Sequence, residues 1–194
     1  LAALARLQAS GDPGSPLLPP YDSALLHREM ELFREWFLSR LLGLDLREDE
    51  HHTLDRAFAL LADNALEQPR VWVHRDYHSR NLMVTAPDNP GVLDFQDAVV
   101  GAITYDLVSL LRDCYIAWPR RQVEAWALDH RARLRALGTS GLDDADQVLR
   151  WFDLMGAQRH LKATGIFARL NLRDGKPGYL RDIPRTLGYL LEVV

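Results

Sequence analysis

The stretch that decides the fold is VHRDYHSRNLMV, residues 73–84, followed by VLDFQD, residues 92–97. In both stretches, polar residues with oxygen or nitrogen atoms stand directly beside apolar residues of strand type. Between them, residues 86–91 read APDNPG, which is dense in turn residues and predicts a hairpin-like connection. Because a hairpin returns the chain to its starting point, we expect the two polar stretches to meet.

Residues 74–81 have the spacing H-R-D-x-x-x-x-N of a kinase catalytic loop. Phosphoryl transfer needs a carboxylate within reach of the acceptor hydroxyl, and Asp76 is the candidate general base. The transferring phosphate needs hard divalent cations, which prefer oxygen ligands. Asn81 and Asp94 offer such oxygens, so we predict that the three side chains converge on one phosphate and metal site.

Composition restricts the class of protein. The chain has 194 residues, of which 47% are hydrophobic and 26% charged, which is an ordinary globular balance for one domain or slightly more. A net charge of −4 does not favour nucleic-acid binding. The single cysteine, Cys114, cannot form an internal disulfide and fits a reducing cytoplasm. No apolar stretch is long enough for a membrane span. We therefore expect a cytoplasmic protein with neither nucleic-acid nor membrane partners.

Apolar periodicity predicts an α+β fold that is mainly α-helical, with a small central β-hairpin element carrying the catalytic loop. Pro119 and Pro184 are expected in the first turns of their helices. Residues 173–180, RDGKPGYL, are expected to form a loop. The predicted helices cover residues 1–9, 23–42, 48–66, 104–114, 119–137, 143–164 and 184–193. The predicted strands cover residues 71–74, 81–85 and 91–95.

On these motifs and the helical segments around them, the chain resembles the aminoglycoside phosphotransferase and choline kinase family. These are small-molecule kinases with a protein-kinase-like fold. Residues 91–119, GVLDFQDAVVGAITYDLVSLLRDCYIAWP, are similar to the bacterial anomeric sugar kinases of cell-wall recycling. DFQ stands where protein kinases have DFG, and no APE motif follows, which argues against a protein kinase.

The resemblance implies a role for several residues. Asp76 would be the catalytic base, and Asn81 and Asp94 would be Mg²⁺ ligands. His74 and Asp106 would be structural groups that hold the catalytic loop. The implied reaction is ATP- and Mg²⁺-dependent phosphorylation of a small-molecule hydroxyl. The implied acceptor is an amino sugar, N-acetylmuramate or N-acetylglucosamine, at its anomeric hydroxyl.

Residues that would contact the acceptor are harder to recognise. A cation could meet an acceptor carboxylate, and a sugar ring can lie on an aromatic face, but tryptophans at helical spacing usually belong to the core. The candidates for substrate binding are His78, Arg80, Asp97, Arg112, Asp113 and His160. Four further residues deserve comparison with them: Trp118, Trp151, Arg159 and Lys162.

The resemblance is to a C-terminal lobe only. Kinases of this kind also need an N-terminal lobe with a phosphate-covering loop and a strand lysine. The lysines of this chain are Lys162 and Lys176, both far downstream, and no glycine-rich phosphate loop is visible. We therefore expect residues 1–194 to form the acceptor-binding and catalytic lobe, without the nucleotide-clamping lobe. The isolated chain is expected to phosphorylate poorly or not at all.

Other functions fit parts of the pattern. The acceptor could be an aminoglycoside, choline or homoserine, and the acidic residues within 142–147, LDDADQ, could bind a polycation. A charge run at a helix N-terminus explains those acidic residues equally well. A pseudokinase that binds nucleotide without turnover is a non-enzymatic alternative. A purely structural scaffold ranks last, because it would not require Asp76, Asn81 and Asp94 together.

Overall fold

The structure, a computed structural model, describes residues 1–193 and is mainly α-helical. Short strands lie between the third and fourth helices, where the polar stretches are. The α-helices are α1 (Ala2–Ser10), α2 (Ser23–Leu32), α3 (Glu48–Leu66), α4 (Tyr105–Leu111), α5 (Arg120–Ala136), α6 (Ala145–Leu172) and α7 (Ile183–Leu191). The strands are β1 (Arg70–Val73), β2 (Leu82–Met83), β3 (Gly91–Val92) and β4 (Val99–Ala102).

Helix starts follow ordinary capping chemistry. Asp22 precedes α2, and its side chain accepts the backbone N–H of Leu25 at 2.8 Å. Asp144 caps α6 in the same way, accepting from the N–H of Asp146 at 2.9 Å. Helix α3 has the predicted bounds, and the Glu50 side chain accepts the N–H of the residue before the helix at 2.9 Å. These helices were therefore predictable from local signals.

The helix predicted to run from residue 23 to about 42 changes its hydrogen-bond pattern half-way. After α2 the chain continues as a π-helix over Phe33–Leu41. Gly43 follows with a φ of +66°, the left-handed conformation in which glycine ends many helices. The predicted stop is confirmed, whereas the π-helical half was not predicted.

Helix α6 is the centre of the molecule and packs against α2, α3, α4, α7 and the π-helical segment. It runs to Leu172, eight residues beyond the predicted end at Thr164. The predicted end lies directly before Gly165, which does not end the helix. A Cβ atom at Gly165 would lie 2.3 Å from the carbonyl carbon of Leu32, so the glycine allows two helices to approach closely in mid-helix.

The strands form two antiparallel pairs. Strands β2 and β3 pair as the predicted hairpin, with Leu82 opposite Val92. Strand β1 pairs with β4, and Val71 lies opposite Gly101. Strand β4 was not predicted: its four residues are all buried, so no polar and apolar alternation reveals it.

Smaller differences concern the prolines and the late loop. Pro184 lies in the first turn of α7, as predicted. Pro119 precedes α5 as its N-cap residue and lies outside the first turn. The predicted loop at 173–180 contains the start of a 3-10 helix at Pro177–Asp182.

Among residues 1–193, the helices are all too short or too polar to cross a lipid bilayer. The hydrophobic core gathers around α6 and the inner faces of α2, α4 and α5. This helical body supports one face of the β pairs, on which the two polar stretches meet.

Candidate active site

The catalytic-loop segment, residues 74–81, connects β1 to β2. A buried carboxylate fixes its first residues by hydrogen bonds. Asp106, at the start of α4, is 0% exposed. Its two oxygens accept the backbone N–H of His74 at 2.7 Å and that of Arg75 at 3.0 Å. Burial raises the pKa of Asp106 to about 7, and the two N–H donors oppose that rise. The first residues of the segment are thereby fixed to the helical body.

Two site residues adopt backbone conformations that side chains rarely allow. Arg75 has a φ of +74° and Asp94 a φ of +69°. They are the non-glycine residues with positive φ in the part of the chain that the structure describes. Such conformations cost of order 1–3 kcal/mol and cluster at functional sites. Their coincidence with the two polar stretches singles out this region without reference to any motif.

The β2–β3 hairpin joins the end of the catalytic loop to the second polar stretch. The backbone N–H of Leu93 donates to the carbonyl of Asn81 at 3.0 Å, which places Asp94 one residue from this contact. The Asn81 side-chain amide donates to the backbone carbonyl of Asp76, also at 3.0 Å. This leaves the amide oxygen of Asn81 available. Asp94 is exposed, and one of its oxygens accepts from Gln96 at 3.1 Å.

The Asp76 carboxylate faces a cavity. Its backbone is held on both sides, because its N–H donates to the His74 ring at 3.3 Å and its carbonyl accepts from His78 N–H at 3.0 Å. Within residues 1–193 the carboxylate oxygens take part in neither an ion pair nor a hydrogen bond. The backbone of Asp76 is therefore fixed while its carboxylate remains free to accept a proton.

The cavity lies between the catalytic loop, the start and end of α4, and α6, and it has a volume of about 470 Å³. This volume includes space that is open to solvent. Its polar lining is Arg75, Asp76, His78, Arg159 and Lys162. Its aromatic lining is Tyr105, Tyr115 and Phe167.

A buried ionic network forms one wall of the cavity. Glu29, on α2, forms ion pairs with Arg75 and with Lys162, the latter at 2.8 Å. It also accepts a hydrogen bond from Tyr21. Burial alone would raise the pKa of Glu29, but the two cations hold it below its usual value. Lys162 donates in addition to the Tyr105 hydroxyl at 3.0 Å.

His74 and His78 are both placed by aromatic neighbours. The His74 ring is buried and meets Tyr77 edge-on at 5.9 Å. His78 lines the cavity and meets Tyr115 edge-on at 5.5 Å. Burial, assisted by the charge of Arg159, lowers the pKa of His78. At neutral pH His78 is thus a neutral hydrogen-bonding group.

The structure does not bring all of the candidate acceptor contacts to the cavity. Arg80 is exposed and lies over the Tyr115 ring, with its guanidinium carbon 3.5 Å from the ring centre. Asp97 is exposed, and its backbone carbonyl accepts from Arg75 at 3.2 Å. Asp113 is buried, and its carboxylate accepts the N–H of Ser79 at 2.9 Å. None of the three candidates is part of the cavity lining.

Arg112 and His160 lie deeper in the helical body and also miss the cavity. Arg112 is buried and donates to Asp153 at 3.4 Å and to Glu192 at 3.1 Å. The ring of His160 shares a hydrogen bond of 2.9 Å with the Arg112 carbonyl and stacks on Tyr189. Burial lowers the pKa of His160 to about 3. This placement does not support substrate contact for either residue.

Of the four residues compared with these candidates, two reach the cavity. Arg159 and Lys162 line it from successive turns of α6. Trp118 packs against Trp126, and Trp151 is a buried residue whose indole N–H donates to Glu67 at 2.7 Å. The two tryptophans therefore have structural contacts away from the cavity.

Sequence reasoning missed the parts of the site that come from distant helices. Glu29 contacts Arg75 across 46 positions of sequence, and no local pattern marks it. Tyr115 and Phe167 read as ordinary core residues. The one available signal was a charged residue within an apolar helix, which Glu29 shares with many solvent-exposed charges.

Comparison with known proteins agrees with this geometry. The profile of the phosphotransferase enzyme family (APH) matches residues 1–161, most of the chain and all of the catalytic-loop region. The chain belongs to the phosphotransferase enzyme family. The match includes Asp76, Asn81 and Asp94, and ends inside α6.

Curated relatives of this family member share up to half of its residues. A Pseudomonas putida protein named N-acetylmuramate/N-acetylglucosamine kinase is 51% identical over 177 residues, which are 91% of this chain and 52% of that protein. Proteins of the same name from Pseudomonas aeruginosa and Neisseria meningitidis serogroup B are 49% and 45% identical, over 92% and 100% of this chain. These alignments cover 52% and 57% of those proteins. The chain thus spans about half the length of the curated relatives it matches.

A solved structure supports the fold. The Plasmodium vivax ethanolamine kinase matches with a TM-score of 0.61 at 16% identity, over 90% of this chain and 49% of that one. The mainly helical fold with small sheets is therefore that of the C-terminal lobe of a kinase-like protein, as the sequence predicts.

Proposed function

We propose that the chain carries the acceptor site and catalytic base of an ATP- and Mg²⁺-dependent small-molecule kinase. Its most fitting acceptor is the anomeric hydroxyl of N-acetylmuramate or N-acetylglucosamine. The observation that carries the proposal is the free Asp76 carboxylate on the wall of a cavity of about 470 Å³. The names of the relatives supply the acceptor. A reaction that consumes ATP would take place in the cytoplasm.

In this proposal Asp76 accepts the proton of the acceptor hydroxyl as that oxygen attacks the terminal phosphate. An anomeric hydroxyl is more acidic than an ordinary alcohol, so a carboxylate is a sufficient base. Asp106 and Asn81 act through the backbone: they hold the loop on both sides of Asp76. Most of the rate acceleration would come from such positioning and from charge neutralisation.

The residues present fit a magnesium site. The amide oxygen of Asn81 and the carboxylate of Asp94 are hard oxygen donors, brought together by the β2–β3 hairpin. Residues 1–193 contain no group of three His, Cys, Asp or Glu side chains placed to hold a metal ion. Mg²⁺ usually takes one or two protein oxygens and completes its shell with phosphate and water, so the two oxygens of Asn81 and Asp94 would be sufficient. The bound ion would neutralise charge on the transferring phosphate.

The charge of the cavity bears on the choice of acceptor. Arg75, Arg159 and Lys162 line it, against the carboxylates of Asp76 and of Glu29 behind the wall. A polycationic aminoglycoside, or the cationic head of choline, would be repelled by this excess of positive charge. Asp144 caps α6 instead, and Asp143 forms an ion pair with Arg135. Tyr115 and Phe167 add aromatic side chains to the cavity lining.

We propose further that residues 1–194 are the acceptor-binding and catalytic lobe, and that nucleotide clamping is done outside them. An apolar groove beside the second polar stretch supports this. It is formed in part by Leu17, Trp72 and Phe95, and Phe95 is 71% exposed. Lys162 is already paired with Glu29, so it is a poor candidate for holding nucleotide phosphates. The isolated chain is expected to be a poor kinase.

An acceptor panel tests the function. The full-length protein that contains this chain is given ATP and Mg²⁺ with N-acetylmuramate, N-acetylglucosamine, kanamycin, choline or homoserine, and ADP release is measured. We expect turnover with the two amino sugars alone. Turnover with kanamycin or choline, and none with the sugars, would replace this proposal with the alternative kinase. Nucleotide binding without turnover on any acceptor would favour the pseudokinase.

A further inference from the structure

Arg159 is a buried cation that forms no ion pair with any of residues 1–193. It lies on α6, is 7% exposed, and lines the cavity that contains the Asp76 carboxylate. Its Nη1 donates to the sulfur of Cys114 at 3.9 Å. Its Nε atom is buried and, among residues 1–193, has no hydrogen-bond partner.

Three nearby carboxylates are used elsewhere, and that of Asp76 lines the same cavity without forming an ion pair with Arg159. Glu29 forms ion pairs with the other two cations of the cavity, Arg75 and Lys162. Asp106 accepts two backbone N–H groups of the catalytic loop. Asp113 accepts the N–H groups of Ser79 and Tyr115. In the part of the chain that the structure describes, Arg159 forms no ion pair.

An unpaired charge in such a position is costly, because burial removes hydration without supplying a counter-ion. A guanidinium presents its donors as a planar fork that matches a carboxylate with two parallel hydrogen bonds. A bound anion would satisfy Arg159 where the protein itself does not. The cavity is the side from which such an anion can come.

We propose that Arg159 binds the carboxylate of an acidic amino-sugar acceptor and thereby sets acceptor preference. This inference rests on the proposed function and narrows its substrate class. N-acetylmuramate carries a lactyl carboxylate, whereas N-acetylglucosamine has a hydroxyl in its place and is otherwise the same sugar. The pair differs in the one group that Arg159 would recognise.

A different role for Arg159 would be to hold the transferring phosphate. That role would be equally important for every acceptor, because the phosphate is common to all of them. A purely structural role would likewise affect all acceptors equally. The ratio between two acceptors therefore separates carboxylate recognition from both.

The test compares kcat/KM for the two sugars in the full-length protein and in the variants Arg159→Met and Arg159→Lys. We expect Arg159→Met to lower kcat/KM for N-acetylmuramate by roughly ten- to hundredfold, the range for a hydrogen bond to a charged group. The kcat/KM for N-acetylglucosamine should change little. With N-acetylmuramate, kcat/KM of Arg159→Lys should lie between the values of Arg159→Met and of the unmodified protein. An equal loss with both sugars would overturn the proposal. Arg133→Gln, which removes an exposed ion pair with Asp129, is the matched control.

Binding without ATP keeps this inference separate from the proposed activity. Titration calorimetry of each sugar into the full-length protein needs no turnover. We expect N-acetylmuramate to bind more tightly than N-acetylglucosamine, and Arg159→Met to abolish the difference. Equal affinity of the two sugars for the unmodified protein would contradict carboxylate recognition, even if both are phosphorylated. Thermal unfolding of each variant identifies any that is misfolded. If Arg159→Met is misfolded, the affinities of Arg159→Lys for the two sugars decide the test.

Discussion

At the scale of single residues, some aspartate side chains of the site are fixed by hydrogen bonds to the backbone and others are free. The carboxylates of Asp106 and Asp113 accept hydrogen bonds from backbone N–H groups of the catalytic loop or of neighbouring residues. Asp76 and Asp94 keep theirs accessible. Four aspartates close in space thus divide into two that fix the backbone and two that are available for chemistry.

The first prediction concerns the base. Asp76→Asn keeps the shape of the side chain but cannot accept a proton. We expect kcat with N-acetylmuramate to fall by about a hundred- to ten-thousandfold, with nucleotide affinity nearly unchanged. Steady-state kinetics and nucleotide titration measure the two effects. Asp129→Asn, on the exposed face of α5, is the control. Near-normal turnover of Asp76→Asn would exclude Asp76 as the base.

The second prediction concerns the metal. Asp94→Ala removes one of the two proposed oxygen ligands. We expect the Mg²⁺ concentration for half-maximal activity to rise by roughly tenfold or more, since even groups that only support metal ligands have effects of that size. Activity is measured over a series of Mg²⁺ concentrations at fixed ATP. An unchanged Mg²⁺ curve would remove Asp94 from the metal site.

At the scale of elements, α6 approaches the junction of α2 and the π-helical segment closely. This contact positions the residues of α6 that form one wall of the cavity. Gly165 makes that approach possible, because no space for a Cβ exists beside Leu32. Arg159 and Lys162 lie within two turns of this contact and reach the cavity from it. Glu29, which neutralises Lys162, comes from the opposing helix α2.

Gly165→Ala is therefore expected to lower the free energy of unfolding by about 3 kcal/mol, because the clash is with backbone that cannot rotate away. Gly188→Ala is the matched control. It also lies within a helix, but an added Cβ meets nothing within 4 Å. That control should be stabilised by up to about 1 kcal/mol through helix propensity. Chemical denaturation of both variants gives the values, and equal effects would refute the packing argument.

The same contact shows which elements could be predicted. Local capping and periodicity were enough for α3 and for the start of α2, because those signals lie within a few residues. Gly165 gave the opposite signal, since a glycine in mid-helix reads as a stop unless the packing partner is known. Strand β4 was hidden because all its residues are buried. Element boundaries set by tertiary contacts are not encoded locally.

The site residues show the same contrast between local signals and tertiary contacts. Asp76, Asn81 and Asp94 could be identified because the loop and hairpin that unite them are continuous in sequence. Glu29 and Arg159 could not be placed, since α2 and α6 meet the loop only in the folded chain. Arg112 and His160 looked like candidate contacts, yet both form their hydrogen bonds inside the helical body.

At the scale of the whole molecule, buried ionisable groups couple the fold to pH. Burial lowers the pKa of His160 to about 3 and that of His130 to about 4. The unfolded chain takes up protons at both histidines near pH 6.5, whereas the folded chain does not. Their contribution to stability is thus present above pH 6.5 and is lost on acidification. Asp106 acts in the opposite direction, because its pKa is raised to about 7.

A difference measurement isolates one histidine. His160→Gln retains a donor for the Arg112 carbonyl but does not titrate. Between pH 7 and pH 5 the unmodified protein should lose about 2 kcal/mol more unfolding free energy than the variant. Chemical denaturation at the two pH values measures this difference while Asp106 contributes equally to both proteins. Parallel pH dependence would show that His160 is protonated in the fold.

The central claim is that a carboxylate on this cavity wall directs phosphate to an anomeric oxygen. The most direct test incubates the full-length protein with ATP, Mg²⁺ and N-acetylmuramate or N-acetylglucosamine and assigns the product by phosphorus NMR. The account predicts a sugar 1-phosphate, with phosphorus coupled to the anomeric proton, and far less of it in the same time with Asp76→Asn. Phosphate on another sugar hydroxyl, or no transfer to either sugar, would contradict it.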